Sequence, residues 1–94
     1  MKITRSAEAE LPHFSNHEEA RDYFKNQYGN RFMMTNSRIL DGVKTYFYHL
    51  VLDDQAYQDG IKKSQNGERV SDMDFLFSYQ SVEITEDGQI HVIQ

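Results

Sequence analysis

Two Asp-Gly pairs, Asp41-Gly42 and Asp87-Gly88, each stand between runs of β-forming residues, and nothing else in this chain constrains its fold as strongly. A tight turn between paired strands needs backbone at positive φ, which glycine adopts freely and aspartate tolerates. Each pair therefore predicts an antiparallel hairpin. The arms of the first are RFMMTNSRIL and VKTYFYHLVL. A two-residue turn opposes Leu40 to Val43, whereas a three-residue loop Leu40-Asp41-Gly42 opposes Ile39 to Val43. The longer loop gathers Phe32 and Met34 on the face of Tyr46, Tyr48, Leu50 and Leu52, and it is the expected register. In the second hairpin, a loop Glu86-Asp87-Gly88 opposes Ile84 to Ile90 and Val82 to Val92 on the core side, with His91 facing Glu83 on the other. A two-residue turn there would scatter the apolar groups over both faces.

Helical signals flank the first hairpin. Ser15 or Asn16 can cap a helix over about 16–28, each with a glutamate three positions on, the capping-box spacing. Ala20, Tyr23, Phe24 and Tyr28 form one apolar stripe, and Gly29 ends it. Asp53 or Asp54 can cap a shorter helix over about 54–63, turned inward at Ala56, Tyr57 and Ile61. Gly60 inside it costs ~1 kcal/mol relative to alanine and predicts a short or frayed element. Met73, Phe75, Phe77 and Tyr79 alternate, so 70–79 reads as a strand; the competing reading is a helical turn capped by Ser71. The strand Val43–Leu52 carries large apolar residues on both faces, which suits a central strand covered on both sides. The expected fold is α+β: an antiparallel sheet of four to five strands with an N-terminal helix and a shorter second helix packed on it, in the order α-β-β-α-β-β-β. Residues 1–13 are polar and aperiodic and predict a flexible segment ahead of a single domain over 14–94.

Composition narrows the chemistry. With 94 residues and no cysteine, the chain has one core, no disulfide and no thiolate ligand or nucleophile, which suits a reducing cytoplasm. No apolar run approaches a membrane span, and MKITRSAEAELP lacks the apolar centre of a signal peptide. The net charge of −5 resides in residues 70–94, where Asp72, Asp74, Glu83, Glu86 and Asp87 stand without Lys or Arg. No basic cluster is present to displace counterions from phosphates, so direct binding to nucleic acid or to an anionic membrane is disfavoured.

The residues that could carry chemistry form no familiar constellation. His13 and His17 are four apart, but Pro12 and the following cap place His13 outside the helix, so no metal site is expected and His17 reads as an exposed first-turn residue. His49 lies in the strand expected to be most buried, with no nucleophile or acid placed beside it, and reads as a satisfied sheet histidine. Asp53, Asp54 and Asp59 lack the alternation of a calcium loop. Asp72 and Asp74 are spaced for one strand face but have no second lobe to desolvate them. Glycine-rich phosphate loops are absent, and no cofactor is expected. Six tyrosines with Met33 and Met34 instead suggest adaptable recognition surface.

The expected function is a non-enzymatic protein-binding or regulatory module, acting through a Tyr/Met-rich face (Met33, Met34, Tyr46, Tyr48, His49) and an acidic C-terminal region (Asp72, Asp74). Its expected partner is another protein or a second copy of itself. Two alternatives stand beside it: a small-molecule-binding domain or modest enzyme with a helix–sheet pocket lined by His49 and tyrosines, and an anionic decoy that fills a nucleic-acid groove on another protein. The pairing of the DGV hairpin with the terminal EDGQIH turn resembles short proteins of Gram-positive bacteria and their mobile elements. The expected setting is a bacterial or phage-like system; the likeness names no family and assigns no function and no site.

Overall fold

A computed structural model describes residues 2–69 and 73–94. Its elements are α1 (Arg5–Ala9), α2 (His17–Tyr28), a 3-10 turn (Gly29–Arg31), β1 (Phe32–Leu40), β2 (Val43–Val51), α3 (Asp54–Gln65), α4 (Met73–Leu76), β3 (Tyr79–Thr85) and β4 (Ile90–Val92). The four strands form one antiparallel sheet in the order β1-β2-β3-β4. The fold is therefore α+β, with the two expected hairpins side by side.

The first hairpin resolves its two candidate registers by using both. At the tip Leu40 opposes Val43 across a two-residue turn, with φ of 52° at Asp41 and 80° at Gly42, so the three-residue loop is not formed. A bulge between Met34 and Asn36 then shifts the pairing by one residue. Below it Phe32 opposes Leu50 and Met34 opposes Tyr48, the partners that the longer loop was expected to produce. The short turn satisfies strand twist at the tip, while the bulge at Thr35 returns Phe32 to the core side. The second hairpin has the expected pairs Val82–Val92, Glu83–His91 and Ile84–Ile90, with Gly88 at φ 89°. A Cβ on Gly88 would lie 2.6 Å from the Phe14 carbonyl oxygen, so that turn also seats the chain entering α2.

Helix α2 covers the inner face of the sheet. Asn16 caps it by accepting from the Glu19 amide, and the His17 amide donates to the Glu86 carbonyl in the β3–β4 turn. Phe24 stacks on Phe32, which stacks on Tyr48; with Leu50, Val82, Ile84 and Val92 these rings make the core. Each such side chain, once buried, contributes roughly 1.5–3 kcal/mol.

Within residues 2–13, expected as a flexible segment, Ile3 belongs to this core and Leu11 packs against it. Ile3 is buried, and its amide and carbonyl are both held by the Gln80 side chain, which also donates to the Ile93 carbonyl. Thr4 caps α1, whose Glu8 carboxylate accepts from the Val92 amide on the outer edge of β4.

On the outer face, α3 and α4 pack at His49 and Tyr79 through Tyr57 and Phe75. Helix α3, capped by Asp53, runs twelve residues rather than the short or frayed element expected from Gly60. The glycine is a seat: a Cβ there would fall 2.0 Å from the Phe75 ring. Phe75 belongs to α4, so 73–76 is helical and the expected strand over 70–79 is not formed among the described residues; Val70, Ser71 and Asp72 lie outside them. The order after β2 is thus α-α-β-β. Buried Ser78 fixes this arrangement, its carbonyl accepting from the Leu52 and Asp53 amides.

Candidate functional site

Strand β2 presents its side chains alternately to two different environments, and each contains a histidine paired with a tyrosine. On the inner face His17, the first residue of α2, is buried, not exposed as its position in the first turn suggested. Its Nε2 lies 2.7 Å from the Tyr48 hydroxyl and its ring stacks on Tyr46 at 3.6 Å. Tyr46 in turn donates to the Glu86 carboxylate at 3.0 Å. Burial holds the His17 pKa below its ordinary value, against the opposing pull of Glu18 and Glu86. On the outer face His49 is half-buried, with Nδ1 3.0 Å from the Tyr57 hydroxyl and its ring stacked on Tyr79 at 3.9 Å. Its pKa is lowered by burial alone. Tyr57, Phe75 and Tyr79 close around it, joining α3 and α4 to the sheet.

These contacts suit packing more than chemistry. Each histidine spends a ring nitrogen on a tyrosine hydroxyl. Among the described residues no group of three or more His, Asp or Glu side chains could hold a metal ion, and no helix is long and apolar enough to cross a membrane. An outer-face hollow reaches His49 between Asn36, Phe47, Ser81 and Glu83, with Arg38 over the Phe47 ring.

The residues expected to form one Tyr/Met face are divided by the pleat. Met34, Tyr46 and Tyr48 lie on the inner side of the sheet; Met33 and His49 oppose each other on the outer side. Tyr48 is 2% exposed, so its ring offers no surface. Met33 and Tyr46 are half-buried and Met34 is exposed. Asp74 is exposed on α4, away from the others, and Asp72 lies outside the described residues.

Exposed apolar side chains also gather at the other end of the sheet from the β1–β2 turn, where Ile39 is 73% exposed. Phe77 is 70% exposed, Leu76 45% and Ile93 40%, and with Leu52 and Tyr79 they border one groove where α4 meets the ends of β3 and β4. Ser78 holds Leu76 and Phe77 in place through its contacts with Phe75 and with the start of α3. In the sequence Phe77 alternates with Phe75 and Tyr79 and so passes for a core strand residue. The helical turn rotates it outward. Ser71 and Asp74, the competing capping signal, were the only pointer to that outcome.

Compared with protein-family models, with curated proteins and with solved structures, the chain gives no match.

Proposed function

We propose that this chain is a small non-enzymatic protein-binding module of the cytoplasm, and that it docks its partner in the groove bordered by Leu52, Leu76, Phe77 and Ile93. The exposure of Phe77 carries this reading. A phenylalanine held out in water on a fixed helical turn, among other apolar side chains, forgoes burial worth roughly 1.5–3 kcal/mol. Aromatic anchors of this kind concentrate the energy of protein interfaces. The two His–Tyr pairs fit the same reading, because they serve the packing of α2 and α3 on the sheet and neither histidine lines the groove.

The test is capture from the native host with the wild-type chain and with Phe77→Asp, compared by mass spectrometry. A protein retained by the wild type and lost with Phe77→Asp, with both chains folded by circular dichroism, is the expected result. An identical retained set for the two chains, or none for either, overturns the proposal.

A further inference from the structure

Helix α3 ends in a cap that one glycine makes possible. Asn66 closes the helix with φ −84° and ψ 5°, and Gly67 follows at φ 80°, in the left-handed region that glycine enters without strain. The Gly67 amide donates to the Ser64 carbonyl at 3.1 Å and the Glu68 amide to the Lys63 carbonyl at 2.9 Å, the paired bonds of a Schellman cap. Asn66 and Gly67 are both exposed. None of the other four asparagines, Asn16, Asn26, Asn30 and Asn36, precedes a glycine.

An asparagine followed by glycine can react with its own backbone, which is one source of the heat lability of this residue type. The Gly67 amide nitrogen attacks the Asn66 Cγ. The bond from Cγ to the side-chain nitrogen breaks, that nitrogen leaves as ammonia with the proton of the attacking N–H, and a five-membered succinimide remains. Water then adds across one of the two imide C–N bonds and opens the ring to aspartate or isoaspartate. Glycine presents the attacking nitrogen with no side chain to crowd it. Ring closure needs that nitrogen to eclipse the Asn66 Cβ, whereas at ψ 5° it eclipses Asn66's own backbone nitrogen. The closed cap is therefore unreactive. Rotation about ψ breaks the bonds from Gly67 and Glu68, a local opening of an exposed helix end that needs no global unfolding.

We infer that Asn66 is a site of spontaneous deamidation whose rate is set by the opening of the α3 cap. Gly67 has two opposed roles there: it lets the cap close, and it makes the opened cap reactive. The products hinder the cap from closing again. Aspartate places a carboxylate at the negative end of the helix dipole beside Glu68, a cost that Lys62 and Lys63 in the last turn offset only in part. Isoaspartate routes the main chain through an extra methylene ahead of the Gly67 nitrogen, so the bonds from Gly67 and Glu68 can no longer both be made in register. Asn36 is the rival site, since its side-chain oxygen accepts from the Ser37 amide at 2.8 Å. It is paired with Phe47 in the ladder, which resists the same rotation, and the Ser37 side chain crowds the attacking nitrogen.

The experiment ages the purified chain at neutral pH in water enriched in heavy oxygen, with parallel samples unfolded in urea and a folded Asn66→Gln variant. Peptide mapping by mass spectrometry locates the oxygen, and an isoaspartate-specific methyltransferase counts the isomerised product. Native-state hydrogen exchange of the Gly67 and Glu68 amides is measured beside it. Heavy oxygen is expected at Asn66 ahead of the other four asparagines, and none at position 66 of Asn66→Gln. The folded chain should react more slowly than the unfolded one by a factor close to the exchange protection of the Gly67 amide, because both processes need the same opening. In the isolated isoaspartate product the Glu68 amide should lose its protection while the amides of β2 keep theirs. A folded chain that reacts as fast as the unfolded one overturns the inference. So does a chain that yields no product although Gly67 exchange shows the cap opening, and so does a first product at Asn36.

Discussion

His17 and Tyr48 stand 31 residues apart in the chain and 2.7 Å apart in the fold, joining the first residue of α2 to the centre of β2 inside the core. A neutral imidazole completes this pair with one proton shared between Nε2 and the hydroxyl. A second proton places a cation in a buried position at the positive end of the α2 macrodipole.

Acid is therefore expected to destabilise the fold. Both His17 and His49 have pKa values lowered by burial, so the unfolded chain binds more protons below the ordinary value of 6.5. Their contribution is complete above 6.5 and is lost as pH falls from there through the folded-state values. Urea midpoints measured from pH 8 to 5 should drop on the acid side. His17→Gln combined with His49→Gln should flatten that drop; a fall of unchanged steepness would assign it to other groups.

Replacing Tyr48 by Phe keeps the ring stacked on Phe32 but deprives buried His17 of its partner. Leaving a buried polar atom unmatched costs about 1–3 kcal/mol. The loss should appear in chemical denaturation. Tyr23→Phe serves as the control, since Tyr23 packs its ring on Phe14 and Phe24, and it should move the midpoint far less.

Gly60 sets helix propensity against packing. Alanine in a helix interior is favoured over glycine by ~1 kcal/mol, yet a Cβ at 60 meets the Phe75 ring at 2.0 Å. Gly60→Ala is expected to lower stability. In a Phe75→Ala background, where the ring is gone, the same substitution should raise it. A stabilising Gly60→Ala in the wild type would show that Phe75 does not sit there.

Gln80→Met removes the side-chain amide that holds both backbone groups of Ile3. A cost of at least ~2 kcal/mol follows from the buried groups left unmatched. Limited proteolysis gives an independent readout: cleavage within residues 2–13 should speed up while the sheet stays intact.

Much of this architecture was legible because turn and cap chemistry is local. Asp-Gly pairs gave both hairpins, Asn16 and Asp53 capped helices where expected, and the Val82–Val92 and Ile84–Ile90 pairs followed from one register. What escaped depends on contacts distant in the chain. The bulge at Thr35 is invisible to a register count that assumes one offset per hairpin. His17 is buried because Tyr46 and Tyr48 reach it from β2. Phe77 alternates with its neighbours as a strand residue would, and in the sequence only the capping signal at Ser71 and Asp74 points to the helical turn that seats Phe75 on Gly60. The apolar groove beside Phe77 depends on that turn and could not be read before it.

The Gln80 clasp spans 77 positions to Ile3, and the Glu8 carboxylate reaches 84 positions to the Val92 amide. The hairpins close over short loops; these contacts close over nearly the whole chain and carry the larger entropic cost. The segment around Ile3 should thus dock last during folding and release first under stress, so native-state hydrogen exchange should find the Ile3 amide opening before those of β2.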